Sequence, residues 1–449
     1  MKMDGFIQTL LKAAGEAGFT VAEAYLLSDE SFKAMATNGE ITQYASHATR
    51  GLSFRAMLNG RMGYAATEAF DEAAVDWLIR GALDSATFCE DPSEQFVYDG
   101  QEPVAALPLT GEDAAPETKL AFALEMEKQA KAYDPRVEQV GYDTVFSGRV
   151  TVRIVNTQGM DKQYTESFCG AYLQPVARED GSTSTGFAIR FVRNFAELDA
   201  AQLAATAAKR AVDALHASPV ASGCYRVVIH HLAMIDLLET FAPAFSAENA
   251  QKDLSLLKGK LGETIAAPCV TVVDDALSTR GFASRPFDAE GVPSRRTVVI
   301  ENGVFRTFLH NLKTARKDGV ASTGNASKAG YSAPVRVSPT NFSIEAGDTP
   351  FDALLAGMGE GLVITELEGM HAGADAVSGD FSLLAKGYTV KDGKRVRPVE
   401  QITVAGNFFE MLKAVRAVGD DLQFPSGGYG SPSLDVGTLS VAGKGEGEA

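Results

Sequence analysis

Two carboxylates two residues apart, Asp288 and Glu290, precede Gly291 in a glycine- and proline-rich stretch. Such a pair can hold a cation or divide the roles of acid and base. The same spacing also suits a turn whose acids cap backbone amides. A second polar, glycine-dense stretch runs from Gly369 through His371 to Ser378-Gly379-Asp380. Its glycines permit close backbone approach, either to a ligand or to another strand. Neither cluster names a reaction.

Other arrangements are weaker. His230 and His231 are adjacent, with Asp236 and Glu239 nearby. Neighbours on a strand face opposite ways, and no His-x3-His or His-x4-His spacing supports a metal site. A strand end turning into a helix explains the pair equally. Ser255-Leu-Leu-Lys258 has the nucleophile spacing of serine β-lactam enzymes, but no Lys-Thr-Gly or Ser-Asp-Asn accompanies it. Gly357-Met-Gly359-Glu-Gly361 follows a helix and precedes a strand, the reverse of a phosphate loop, and reads as a helix stop. Cys89, Cys169, Cys224 and Cys269 form no CxxC pair, which favours thiols in a reducing cytoplasm over disulfides or a cysteine-rich zinc site.

The elements that must position these residues follow from composition and period. The chain has 449 residues, enough for two to four domains at ~100–200 residues each. With 45% apolar and 22% charged residues it is globular rather than disordered. The net charge of −17 would repel a phosphate backbone, and no basic patch offsets it, so a nucleic-acid partner is not expected. No apolar stretch approaches the ~20 residues of a membrane helix, and the first residues lack a signal peptide's apolar core, so a cytoplasmic location is expected.

The expected fold class is α+β. The N-terminal half packs helices on antiparallel strands, and the C-terminal half is mainly β, barrel-like or sandwich-like. We divide the chain into an α+β module at 1–90, a proline- and acid-rich linker at 91–117, a second α+β module at 118–220 and a β-rich domain at 221–449. The first module holds an opening helix, strands at 21–27, 31–36 and 40–45, and a hairpin across Asn59-Gly60. Both turn positions there need positive φ. Strands at 137–142 and 145–155 and a helix at 198–216 follow in the second module. The modules share an outline, which a diverged repeat or similar helix composition would equally produce. The β-rich part opens with a strand at 225–230 and a helix at 232–258 interrupted near Pro243, and includes strands at 269–273 and a hairpin across Asn302-Gly303. The tail 443–449 alternates glycine with charge and is expected to fray.

Several long motifs together resemble the TldD/PmbA family, historically labelled modulators of DNA gyrase. They are Phe287-Asp-Ala-Glu-Gly-Val-Pro293, Arg296-Thr-Val-Val-Ile-Glu-Asn-Gly303, Ser322-Thr-Gly-Asn325, Gly361-Leu-Val-Ile-Thr-Glu-Leu367, Ser378-Gly-Asp-Phe-Ser382 and Arg397-Pro-Val-Glu-Gln-Ile-Thr-Val-Ala-Gly-Asn407. Gly51-Leu-Ser-Phe-Arg55 and Gly60-Arg-Met-Gly-Tyr64 match in the N-terminal half. The resemblance implies a two-component metalloprotease. Its TldD-type subunit carries HExxxH and a later cysteine on zinc, where the glutamate takes a proton from metal-bound water.

This chain has no HExxxH and no cysteine after Cys269. Counting back without gaps from Gly259-Lys-Leu-Gly-Glu263 puts Leu238-Glu239 and Pro243 at the His-Glu and second His positions. Phe245-Ser246-Ala-Glu-Asn-Ala-Gln251 also resembles the PmbA (TldE) branch. The resemblance therefore implies a PmbA/TldE-type subunit with no catalytic or metal residues of its own. Zinc would sit in a TldD-type partner, and the heterodimer would enclose a chamber for unfolded peptide. Asp288, Glu290, Gly291, His371, Ser378, Gly379 and Asp380 are the candidate chamber-facing residues. Three alternatives stay open: a homodimeric peptide-binding or regulatory protein, a self-sufficient hydrolase with an unrecognised site, and direct action on gyrase or DNA.

Overall fold

The computed structural model describes residues 2–88, 96–100 and 102–444. The N-terminal part runs α1 (Met3–Glu16), β1 (Val21–Thr37), β2 (Glu40–Leu58), β3 (Arg61–Thr67), α2 (Glu72–Thr87), α3 (Pro116–Tyr133), β4 (Val137–Asn156), β5 (Asp161–Glu179), β6 (Ser182–Thr185), β7 (Ala188–Val192) and α4 (Ala200–Asp213). Asn59 and Gly60 turn β2 into β3 with φ of 51° and 78°. Asp71 and Asp199 cap α2 and α4, each accepting one backbone N–H at 2.9 Å, which satisfies an otherwise orphaned donor.

The strands form one seven-stranded sheet in the order β3-β2-β1-β4-β5-β6, with β7 also on β5. The order is symmetric about the antiparallel β1–β4 pair, so the two modules end in a single sheet. α1 and α2 bury Phe6, Leu10, Leu78 and Ala82 on one end of a face of this sheet. α3 and α4 bury Ala123, Met126, Ala204 and Ala207 against the other end. Tyr25, Val152, Ile154 and Tyr164 point from the opposite face onto Phe287, Ala289 and Ala326 of the C-terminal part.

Several expected boundaries shift. The strands foreseen at 21–27 and 31–36 are one 17-residue strand. Its middle, Asp29 to Ser31, is exposed and polar, so the alternation that marks a half-buried strand is lost there. Likewise 137–142 and 145–155 are one strand of 20 residues, broken only by bulges around Val140. The described part of the 91–117 stretch is neither helix nor strand up to Ala115, yet Leu109 is buried and accepts the Ser167 N–H at 3.0 Å. Cys169, Cys224 and Cys269 are free thiols. Cys89 and the tail beyond Lys444 lie outside the described residues.

The C-terminal part continues with β8 (Gly223–Ile229), α5 (His231–Phe241), α6 (Ala247–Gln251), β9 (Val272–Asp275), β10 (Arg296–Glu301), β11 (Val304–Phe305), α7 (Leu312–Asp318), β12 (Ala326–Ser327), β13 (Arg336–Val337), β14 (Phe342–Ile344), α8 (Phe351–Met358), β15 (Gly361–Glu368), α9 (Met370–Gly373), β16 (Asp380–Lys391), β17 (Lys394–Asn407), α10 (Phe408–Lys413), β18 (Ala417–Val418), β19 (Tyr429–Gly430) and β20 (Leu434–Ala442). The helix expected over 232–258 thus breaks into α5, a 3-10 turn at Ala242–Phe245 and α6, because Pro243 cannot continue α5. The strand foreseen at 269–273 starts three residues later, as β9.

Strands β17, β16, β15, β8 and β20 pair in sequence, and β17 pairs back onto β20, which closes a five-stranded barrel. Alternate residues, among them Ile229, Ile364, Leu383, Val404 and Val441, share one core with α5 and α10. Val228, Val363 and Val390, on the opposite strand faces, pack on α8. The order β11-β10-β9-β14-β19 makes a half-barrel beside it. The fold is therefore α+β with a barrel. Among the described residues, no helix is long and apolar enough to cross a membrane.

Candidate functional site

A cavity of about 680 Å³ lies where the seven-stranded sheet meets the C-terminal part. That size falls in the range of ligand sites. The sheet contributes Glu23 and Tyr25 from β1, Ser53 and Arg55 from β2 and Tyr64 from β3, while Phe96 closes one side. The other wall comes from Glu290, the start of α7, and residues 332–336. Strand alternation places Glu23 with Tyr25, and Ser53 with Arg55, on the same face.

Charge is concentrated on that face. Arg55 Nε donates to Glu23 Oε1 at 2.7 Å, and its Nη1 lies 3.5 Å from Glu290 Oε1. Glu290 Oε2 accepts the Leu312 N–H at 2.9 Å, at the first turn of α7. Burial pushes the Glu290 carboxyl up to about 7, with Arg55 pulling the other way. Lys328 Nζ donates to Ser53 Oγ at 2.6 Å and lies 4.6 Å from the Tyr25 ring centre. A second cavity of about 360 Å³ adjoins, sharing Glu248, Lys252 and Arg336 with the first. Pro243, Ser246 and Tyr429 line it.

The candidate residues separate. Glu290 lines the larger cavity. Asp288 is buried and spends its oxygens on backbone: Oδ1 accepts the N–H groups of Glu290 and Val292 at 2.9 and 3.0 Å, and Oδ2 that of Ala326 at 3.0 Å. It shapes the turn that aims Glu290. Gly291 has φ of 84°, a backbone conformation that favours glycine, and its loop packs on Met160 of the β4–β5 turn, whose Sδ would lie 2.5 Å from a Cβ at this position. His371, Ser378, Gly379 and Asp380 line neither cavity. Asn407 Nδ2 donates to Asp380 Oδ1 and to the Ser378 carbonyl, both at 2.9 Å. The Asn407 side chain in turn caps α10 through the Phe409 and Glu410 amides. His371 is exposed on α9.

Arg55, Glu23, Tyr25 and Lys328 belong to the site but were not singled out as site residues. Arg55 and Tyr64 stand inside the N-terminal motifs quoted above, which was the available signal. Glu23 and Lys328 carried none, because a lone charge, on a strand or in a loop, reads as solvated.

The remaining arrangements have structural roles. His230 ends β8 and caps α5, its ring 3.9 Å from that of His231. Burial, with His231 adding, drives His230 down to about 3. His231 Nδ1 lies 3.1 Å from Asp421 Oδ2. Ser255 is buried, and its hydroxyl donates to the Ala244 carbonyl at 2.6 Å, while Lys258 pairs with Asp253. Gly359, with φ of 72°, ends α8.

On α5, Leu237, Leu238 and Phe241 are fully buried in the core, Glu239 is exposed, and Pro243 lines the smaller cavity. Leucine and proline offer no metal ligand. Among the described residues, no group of three or more His, Cys, Asp or Glu converges as a metal cage. The residues at these positions do not fit zinc.

Comparison with known proteins bears on this geometry. The description PmbA/TldA metallopeptidase matches the chain in three pieces: domain 1 over residues 22–86, the central domain over 110–215 and the C-terminal domain over 222–443. The chain is 25% identical to the metalloprotease PmbA of Escherichia coli O157:H7, covering 86% of this chain and 84% of that protein. It is 26% identical to a metalloprotease TldD homolog of Haemophilus influenzae, covering 93% and 91%. A crystal structure from Thermotoga maritima, described as a modulator of a DNA gyrase, superposes with a TM-score of 0.92 at 32% identity, covering 98% of this chain and 100% of that one. TldE from Thermococcus kodakarensis shares the fold, with a TM-score of 0.85 at 22% identity over 98% and 100%.

Proposed function

The chain belongs to the PmbA/TldA metallopeptidase family, and from that premise we propose that it is the PmbA/TldE-like, non-catalytic half of a two-component cytoplasmic zinc peptidase. The observation that carries this reading is the face of α5. Where a catalytic member would present ligands, this helix sends leucine and phenylalanine into the core and ends at Phe241, before the 3-10 turn that holds Pro243. Burying those side chains stabilises the fold by about 1.5–3 kcal/mol each. No rotamer change turns them into a ligand set.

What this chain contributes is a groove. The two adjoining cavities run from Tyr429 past Glu248 to Arg55. Tyr429 stands on β19, the last strand in the pairing order of the half-barrel. An extended, unfolded peptide would lie along these two cavities, from Tyr429 toward Arg55. The acidic exterior is a solvated surface on this view. Zinc and the attacking water belong to a TldD-type partner carrying HExxxH.

The assembly itself is testable. Sizing chromatography with a TldD-type subunit should give one mixed species, with zinc following the partner. A stable homodimer that ignores the partner would replace this reading with a homodimeric peptide-binding protein. Zinc bound one-to-one by the isolated chain would contradict it.

A further inference from the structure

We propose that the larger cavity binds a carboxylate carried on an apolar body, with Lys328 as its charge partner and Tyr25, Tyr64 and Phe96 as the wall for that body. Three of the cations on this wall have an acid beside them. Arg55 is held by Glu23 and Glu290, and Lys252 and Arg336 share Glu248. Lys328 differs. Its ammonium meets the Ser53 hydroxyl and the Tyr25 ring, and among the described residues no carboxylate pairs with it.

Lys328 is half-buried, and withdrawing an ammonium from water without an ion pair is costly, a cost that a hydroxyl and a ring face offset only in part. Burial, with Arg55 adding and Glu23 opposing, draws Lys328 down to about 8. Arg55 Nη2, on the same wall, is buried with no hydrogen-bond partner and offers a second donor. A bound carboxylate would satisfy both.

Size and lining set the rest of the ligand. A volume of about 680 Å³ equals the share of roughly twenty waters, far more than an inorganic anion fills. Two tyrosines and a phenylalanine favour an apolar or aromatic body over a sugar or a bare dicarboxylate. A free small acid and the carboxylate end of a peptide carry the same chemistry. The peptide source rests on the groove reading above, whereas the free acid requires only this chain.

Isothermal titration of the full chain separates these cases. The probes are N-acetylphenylalanine, its amide, and an N-acetylated tetrapeptide ending in phenylalanine as free acid and as amide. We expect at least one acid to bind about tenfold or more tightly than its amide. Lys328→Met should lose that preference and Lys328→Arg should retain most of it. Binding of the free acid identifies a small-molecule site, and binding of the peptide acid alone identifies a chain end. Equal binding of acid and amide to the unaltered protein, no binding of either acid at millimolar concentration, or an undiminished preference in a folded Lys328→Met protein would each overturn the proposal. None of these results touches the assembly with a TldD-type subunit, which is tested separately.

Discussion

Buried charge at single residues makes the sharpest forecasts. Arg55 holds two acids, Glu23 and Glu290, away from water. Removing one partner of such a group costs about 3–5 kcal/mol, because charges are left unpaired. Arg55→Met should therefore lose stability of this order in urea denaturation. The loss should be larger at pH 8 than at pH 6, since Glu290 already sits near 7 and protonates cheaply below it. Asp143 is a second case. It is fully buried, neither carboxylate oxygen has a partner, and burial raises it to about 8. A raised acid binds more protons folded than unfolded, so its ionisation erodes stability as pH climbs from about 4 to 8, by up to about 1.4 kcal/mol per pH unit. In Asp143→Asn the melting temperature relative to the unaltered protein should rise across that window, and a constant difference would refute the assignment. Asp288 and Glu290 were legible as a pair in sequence, but which of them faces the cavity was not. That depends on which amides the loop brings to Asp288, a tertiary fact.

At the scale of elements, close backbone contacts decide what is tolerated. A Cβ on Gly387 would lie 1.8 Å from the Val363 carbonyl oxygen across β15 and β16, inside the barrel wall. Gly387→Ala must push those strands apart, and we expect a loss of several kcal/mol, about what overpacking a core costs or more. Gly330→Ala, where nothing lies within 4 Å, should change stability little. Paired chemical denaturation of the two variants checks this. Turn chemistry made part of the architecture readable in advance. Asn59-Gly60 and Asn302-Gly303 turn their hairpins with positive φ at all four residues. The helix stop at Gly359 and the break at Pro243 were equally local. The extent of β1 was hidden because its middle is exposed and polar, that of β4 because the polar Asp143 and Thr144 are buried where the pattern breaks, and α7 was missed although Asn311 and Thr314 form its capping box. The pairing of β1 with β4 joins residues over a hundred positions apart, so no local pattern announced the single sheet.

For the whole molecule, three features agree: the family architecture over residues 22–86, 110–215 and 222–443, two adjoining cavities between the sheet and the C-terminal part, and an α5 whose inward residues cannot hold a metal. They are what supports our proposal that the chain is a peptide-holding partner. The barrel was foreseen only as barrel-like or sandwich-like, because closure depends on β17 reaching β20, a contact between strands whose lengths were not readable. The most direct test is cleavage of a labelled unfolded peptide by this chain alone, by a TldD-type subunit alone and by the two mixed, with zinc present. We predict cleavage by the mixture that a chelator stops, and none by this chain alone. Cleavage by this chain without a partner would contradict the assignment.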